Sequence, residues 1–330
     1  MKKILVTGAG GFIGSHLVEE LLKQKYRVNA FVRYNSLNRW GNLEFLVDKF
    51  KSNLSIYLGD VRDKSTLKEA FKGVDVVYHL AALISIPYSY IAPQSFLDIN
   101  VGGTFNVLEL SREFKVKKVF IISTSEVYGS AQYIPMDESH PKKPQSPYAA
   151  SKASADLLAL SYYYTYSLPI IIVRPFNNYG PRQSLRAIIP TIISQIICNF
   201  KKIKIGNIYS SRDFVFVKDT AKILIKLMEY ENIIGNEINI ATSNAIVIKD
   251  LINKIALKMN YEPVIEVDEI RLRPLSSEVD KLLGANKKLL NILGNFNFTS
   301  LDEGLDITID YFKKDIKKKK EFYKIELYNI

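Results

Sequence analysis

Residues 2–25, KKILVTGAGGFIGSHLVEELLKQK, decide the fold. The apolar run KKILVTG reads as a buried strand, and SHLVEELLKQK has the apolar spacing of a helix. Between them Gly8, Gly11 and Gly14 stand in a G-x-x-G-x-x-G arrangement, with Phe12 and Ile13 leading into the helix. Glycines there permit a tight turn, a close approach of backbone to a pyrophosphate, and tight packing of helix on strand. The helix N-terminus adds N–H donors and a partial positive charge. A strand, a glycine turn and a helix in that order predict a dinucleotide site.

The next strand, RVNAFVRYNS, ends in Arg33 where an Asp or Glu would otherwise accept hydrogen bonds from the adenosine ribose of NAD. Arg33, Asn35 and Ser36 suit a 2′-phosphate instead, which predicts NADP with NAD as the alternative; a solvated strand-end arginine is the competing reading. LSIYLGD closes on Asp60 and Val61. DVVYHLAAL closes on Leu80, Ala81 and Ala82, with alanines small enough to let a cofactor lie against the backbone. Such strands alternate with helical segments at Lys64–Phe71 and residues 93–114, which predicts an α/β fold with a parallel, doubly wound sheet of the Rossmann type. After a sixth strand, LPIIIVRP, the composition turns less regular. Residues 1–175 are therefore expected to bind the dinucleotide. Residues 176–330 form mainly a smaller substrate-binding part, threaded back into the sheet by segments near 213–243, around 215–227 and 237–241.

Residues 123–152, STSEVYGSAQYIPMDESHPKKPQSPYAASK, follow the apolar strand KKVFIIS. The stretch begins with Thr124, Ser125 and Glu126 and ends with Tyr148 and Lys152, one helical turn apart. A lysine ammonium one turn from a phenol favours the phenolate, so Tyr148 is expected to work as acid or base nearer neutrality than a free tyrosine. Thr124, at a strand end, can share the same substrate proton. The competing reading of a Tyr and a Lys at this spacing is a solvated helix face.

The length of 330 residues suits one large α/β domain with an appended part. Apolar content of 47% and charged content of 24% are those of a globular chain and exclude disorder. One cysteine, Cys198, rules out an internal disulfide. With no signal peptide ahead of the first strand, a cytoplasmic protein is expected. LPIIIV and AIIPTIISQII are too short, or too broken by Pro190, to span a bilayer, so no membrane partner is expected. Lys and Arg (45) exceed Asp and Glu (34), giving a formal charge of +11 that fits a nucleic-acid surface or an anionic small substrate. Much of the excess sits in residues 313–324, where a solvated terminal segment is the simpler reading, and no nucleic-acid motif accompanies it. His16 and His140 lack partners at ligand spacing and His79 reads as a packed strand residue, so no metal is expected.

Taken jointly, TGAGGFIG, GDVRD, HLAAL, STSEVYG, SPYAASK, RPFNNYGP, RDFVFVKD and RPLSSEV resemble the extended short-chain dehydrogenases that act on nucleotide sugars, over nearly the whole chain. The chain looks most like their NAD(P)-dependent 4,6-dehydratases, especially GDP-mannose 4,6-dehydratase and the dehydratase of GDP-N-acetylglucosamine in legionaminic acid synthesis. AFVRYNSLNRWGNLEFL and ALISIPYSYIAP look most like the latter. The resemblance implies that Asp60 touches the adenine amino group and that Asn100 belongs to the helix supporting the active-site lysine. Tyr148 then takes the proton of the sugar's 4-hydroxyl, Lys152 tunes Tyr148 and holds the nicotinamide ribose, and Glu126 removes the proton at carbon 5. Ser125 or Glu126 assists loss of the 6-hydroxyl.

The resemblance also implies that Asn177, Arg182, Arg212, Arg273 and Glu278 hold a nucleotide-diphosphate sugar. Pairing of Arg212 with Asp213 or Asp219 is the competing reading for that residue. Ser125 stands where dTDP-glucose dehydratases carry an aspartate, as in GDP-mannose dehydratases. RPLSSEV has two more residues between proline and glutamate than the segment it resembles. UDP-glucuronate decarboxylases share Thr-Ser-Glu, so decarboxylation and 4-epimerisation stand as alternatives. A homodimer is expected through Pro147–Tyr166, with Leu157, Leu158, Leu160, Tyr162 and Tyr163, against residues 93–114.

Overall fold

The computed structural model describes residues 2–319; of the basic stretch 313–324, residues 320–324 lie outside the described part. Six strands come first, β1 (Lys3–Thr7), β2 (Arg27–Arg33), β3 (Leu54–Gly59), β4 (Val76–His79), β5 (Lys118–Ile122) and β6 (Ile170–Pro175). The short β7 (Asn177–Tyr179), β8 (Ile203–Ile205) and β9 (Ser211–Phe216) follow, then β10 (Glu237–Ile240), β11 (Ala245–Val247), β12 (Ile265–Val267) and β13 (Lys281–Leu282). The main sheet has the order β10-β6-β5-β4-β1-β2-β3, and every pairing in it is parallel. The order reverses direction between β1 and β4, the switch point beside which doubly wound sheets bind their ligands.

A parallel sheet covered on both faces needs strands that are apolar on both sides. Ile4 and Val6 of β1 enter one core with Phe120 and Ile122 of β5, while Leu5 enters the opposite core with Val119 and Ile121. Helices Phe12–Lys23 and Val217–Leu227 pack against each other beside the first core, and Gly103–Glu113 and Pro147–Tyr166 cover the second. A third core, built around Ile189, Ile192, Leu251, Ile255, Leu305 and Phe312, holds the second lobe together. There β9 pairs with β7, β11 and β13, and β8 with β12.

Two expectations change. Residues 237–241 return to the main sheet as β10, but 215–227 do not: they finish β9 and form the helix packed on Phe12–Lys23. The hydrophobic period of 3.6 in VKDTAKILIKL wins over its β-branched content. The helix expected over 93–114 is also interrupted, since Leu97–Gly102 forms a wide π-helical turn between Pro93–Phe96 and Gly103–Glu113. Gly103 lies where a Cβ would meet the Val61 side chain at 2.8 Å, so the helix restarts against β3's following loop.

Candidate active site

A cavity of about 1360 Å³ opens at the C-terminal ends of the main strands and runs into the second lobe. Gly8, Gly10, Gly11, Phe12, Ile13 and Gly14 form its floor at one end. Gly8 has φ +66°, and a Cβ on it would stand 2.7 Å from the Ala81 nitrogen; a Cβ on Gly14 would stand 2.3 Å from the Gly8 oxygen. Side chains at these points would fill the turn. The helix Phe12–Lys23 has no side-chain cap and no acidic residue in its first turn, leaving its N–H groups for an anion. The glycine cradle and this open N-terminus fit a dinucleotide pyrophosphate.

Val61, Leu80, Ala81 and Ala82 line the same end, with Arg33 and Asp60. Asp60 is bound by Arg62 (Nη2 to Oδ2, 2.7 Å), which holds its carboxyl below the usual range. Asn35 lines the wall, but its amide is used within its own loop: Oδ1 accepts from the Leu37 and Arg39 nitrogens, and Nδ2 donates to the Arg39 carbonyl at 2.7 Å. Ser36 lies outside the wall residues. Of the residues expected at a 2′-phosphate, Arg33 and Asn35 thus reach the wall and Ser36 does not, and the same loop brings Arg39 to it.

Thr124, Ser125, Glu126, Tyr148 and Lys152 meet at the centre of the cavity. β5 delivers Thr124, whose hydroxyl caps the turn Ser125–Tyr128 by accepting from the Glu126 nitrogen. Ser146 caps the helix Pro147–Tyr166 in the same way, accepting from the Ala149 nitrogen at 3.1 Å with Pro147 following. Tyr148 is buried, its ring edge-on to Phe96 at 6.2 Å. Burial pushes its phenol upward, opposed by the Thr124 hydrogen bond, and Lys152 donates at 2.7 Å to the Ile122 carbonyl. The expected acidification by the lysine is therefore not present in this arrangement. Burial also lowers Lys152, and Asp156, one turn further along, opposes it.

Asn100 does not reach Lys152. It accepts from the Leu83 nitrogen at 2.8 Å and donates to the Ser151 hydroxyl at 2.9 Å, pinning the helix one residue before the lysine. Beneath it, Thr104 donates to the Asn100 carbonyl, so His79 Nε2 donates to Thr104 and His79 Nδ1 accepts from Thr7. That ordering fixes a neutral tautomer.

At the second-lobe end, Asn177, Arg212, Arg273 and Glu278 line the cavity. Asn177 Oδ1 and Gln183 Oε1 are buried without a protein partner, and both residues lie on the wall. Arg212 pairs with Glu278 at 3.5 Å; Asp213 is taken by Thr242 and Ser243, and Asp219 by Thr299. Arg273 pairs with Glu126 at 3.5 Å. Arg182 is the exception among the expected substrate residues. It pairs with Glu19, stacks on Phe45 at 4.4 Å and lies off the cavity wall, so it ties the Asn177 loop to the glycine-loop helix. Gly10, Arg39 and Gln183 were not anticipated; Gln183 was marked only by following the NNYGPR run. Among the described residues no three His, Cys, Asp or Glu side chains gather as a metal set, and no helix is long and apolar enough to cross a membrane.

A glycine-turn cofactor floor joined to Thr124, Tyr148 and Lys152, facing a second lobe that carries arginines, defines a dinucleotide-dependent enzyme of the short-chain dehydrogenase class. The profile of the family described as GDP-mannose 4,6 dehydratase matches residues 5–308, and the chain belongs to that family. It is 30% identical over 324 residues to human dTDP-D-glucose 4,6-dehydratase, covering 95% of this chain and 91% of that protein. A putative UDP-glucose 4-epimerase of Methanocaldococcus jannaschii is 32% identical over 317 residues, covering 94% and 99%. The chain spans 62% of a dTDP-D-glucose 4,6-dehydratase of Dictyostelium discoideum. Among solved structures, UDP-glucuronic acid 4-epimerase from Bacillus cereus, in complex with UDP-glucuronic acid and NAD, superposes with a TM-score of 0.86 at 31% identity, covering 94% of this chain and 99% of that one. The dTDP-glucose 4,6-dehydratase DesIV from Streptomyces venezuelae, with NAD bound, gives 0.87 at 28%, covering 96% and 98%. This is an enzyme of the NAD-dependent sugar dehydratase and epimerase family.

Proposed function

We propose that the chain is a nucleotide-sugar 4,6-dehydratase that converts an NDP-hexose to its 4-keto-6-deoxy form with loss of water. The observation that carries this reading is Glu126, a carboxylate on the same wall as Tyr148 and Lys152. Oxidation at carbon 4 needs only the tyrosine and lysine. Elimination adds a base beside the ketone. Tyr148 takes the proton of the 4-hydroxyl with Thr124 sharing it, and Lys152 holds the nicotinamide ribose. A bound nicotinamide would supply the hydride acceptor for carbon 4 and the hydride donor for carbon 6. Glu126 removes the proton at carbon 5, acidified by the neighbouring ketone, Ser125 or Glu126 assists departure of the 6-hydroxyl, and a proton goes back to carbon 5 when hydride reaches carbon 6.

GDP- or UDP-N-acetylglucosamine is the proposed substrate. The preference rests on the resemblance of YNSLNRWGNLEFL and ISIPYSYIAP to the dehydratase of legionaminic acid synthesis. Asn177 and Arg212 suit its diphosphate, the arginine by its fork of donors. Residues 1–175, with the helix Val217–Leu227 packed on them and β10 in their sheet, are assigned to the dinucleotide, and the rest of 176–330 mainly to the nucleotide sugar. The proposed compartment is the cytoplasm, consistent with a single cysteine.

Incubation of the protein with a panel of nucleotide sugars tests the reaction. A product lighter by one water is expected. Tyr148→Phe is expected to stop oxidation, whereas Glu126→Gln leaves reduced nicotinamide accumulating with no water lost. The Thr-Ser-Glu triplet is shared with decarboxylases, and the similarity to 4-epimerases is equally long. Carbon dioxide from hexuronic substrates alone, or a mass-neutral isomer, would replace the dehydratase by one of these.

Arg33 and Arg39 on the wall, with no carboxylate at the end of β2, support NADP as the tighter cofactor. The related structures hold NAD. Titration of the protein with both dinucleotides decides between them, and tighter NAD binding would remove Arg33 from the ribose site. A homodimer is proposed through the outer faces of Pro147–Tyr166 and Gly103–Glu113, where Leu157, Tyr164 and Phe105 are exposed. Tyr162 is buried, and Leu158, Leu160 and Tyr163 pack on the monomer's own core, so the face is narrower than the sequence implied.

A further inference from the structure

Two arginines and two glutamates face one another where the second lobe closes on the cavity. Arg273 Nη1 lies 3.5 Å from Glu126 Oε2, and Arg212 Nη2 lies 3.5 Å from Glu278 Oε1. All four residues line the cavity, and their formal charges cancel. A nucleoside diphosphate carries at least two negative charges, and within this group of four a side chain offers it an unpaired positive charge only by changing partner. Arg212 is poorly placed to do so. Its side chain is 7% exposed, and Nη1 is held by the Ser211 carbonyl at 2.9 Å.

Arg273 is differently situated. Its side chain is 21% exposed, and it sits between two tethers. On one side Arg271 Nε donates to Asp268 at 3.0 Å. On the other, Ser277 donates to the Gln145 carbonyl at 2.5 Å, Tyr90 donates to Ser277 at 2.7 Å, and Gln145 Nε2 donates to the Ser276 carbonyl at 2.9 Å. The backbone is pinned on both sides, so a change of partner needs only rotation of the arginine side chain about its rotamers.

We propose that Arg273 is a shared cation, held by Glu126 and claimed by the substrate's diphosphate, so that substrate binding itself uncovers the carboxylate that acts at carbon 5. The proposal rests on the dehydratase reading of Glu126. While the ion pair stands, Arg273 occupies the Glu126 oxygen that faces it. Coupling the two events therefore leaves the carboxylate unpaired only when a sugar diphosphate is in place. Arg273 thus acts as a positioning residue for Glu126 as well as a ligand of the diphosphate.

The test is a double-mutant cycle read by calorimetry with GDP, UDP and dTDP on the cofactor-loaded protein. Nucleoside diphosphates lack the sugar, so Glu126 has no reacting atom to touch and acts on them through Arg273 or through its charge alone, which Arg212 also feels. Glu126→Gln is expected to tighten the best-bound diphosphate by about 3- to 5-fold, the upper part of the range of a partly screened ion pair. Arg273→Gln is expected to weaken it. In the Arg273→Gln background the Glu126→Gln gain should fall below about 2-fold. No gain from Glu126→Gln, or an equal gain in both backgrounds, overturns the sharing, since the second outcome is long-range charge alone. If none of the three diphosphates binds the unaltered protein, the nucleotide-sugar reading fails first and the proposal falls with it.

Discussion

His16 and His79 are both buried, and burial lowers each imidazole from the ordinary 6.5 to about 3, with Arg182 adding to the effect on His16 and Lys152 on His79. In the unfolded chain both take up a proton near the ordinary value. Between about 6.5 and about 3 the unfolded chain therefore binds more protons than the folded one, and stability falls as pH falls through that window. The two together are worth up to about 3 kcal/mol per pH unit. Urea unfolding at neutral pH and one unit below 6.5 should show a drop of that order. A flat profile would mean that water reaches the imidazoles. Both residues look inert in sequence, and the tautomer of His79 follows only from the Thr7 and Thr104 hydroxyls that the fold places on either side of it. The Tyr148 phenol shows the same limit. Spacing put Lys152 within one turn, but the Ile122 carbonyl that takes the ammonium comes from another element.

The helix Pro147–Tyr166 owes its position on the sheet to charge as well as to apolar contact. Asp156 and Arg174 are fully buried, and Asp156 Oδ2 accepts from Arg174 Nη2 at 2.8 Å, from Arg174 Nε at 3.1 Å and from Ser123 at 2.8 Å. Asp156→Ala leaves the Arg174 guanidinium in the interior with Glu237 as its remaining acid partner, and should cost about 3–5 kcal/mol by urea unfolding. Replacing Arg174 by leucine in the same variant should recover most of that loss. Failure to recover would mean that the helix is placed by packing alone. The strands of the main sheet were legible because KKILV, DVVYH, KKVFII and PIIIV are apolar on both faces. The glycine turn was legible because its spacing is local. The Asp156–Arg174 pair was not, because neither residue has its partner within helical or strand spacing. The wide turn at Leu97–Gly102 was not either, since residues 93–114 keep a helical period through it.

Across the whole molecule, the exposed Leu157, Tyr164 and Phe105 make the outer helix faces the candidate contact between two copies. Leu157→Glu with Tyr164→Glu should shift the mass measured by light scattering at micromolar concentration from dimer to monomer. A monomer before substitution would remove the contact. The division into a cofactor end and a sugar end was visible in the change of composition after RPFNNYGP. The path of the chain between them was not, because β10 and the helix Val217–Leu227 read alike as short apolar segments. That path bears on how the protein is made. On the ribosome, residues 1–175 emerge with the open edge of β6 unpaired, and Arg174 waits for Glu237 on β10. Completion of the first-made half thus depends on the last third of the message. A chain interrupted near residue 200 presents a bare apolar strand edge to its neighbours, so no stop in translation ahead of β10 leaves a finished cofactor sheet behind.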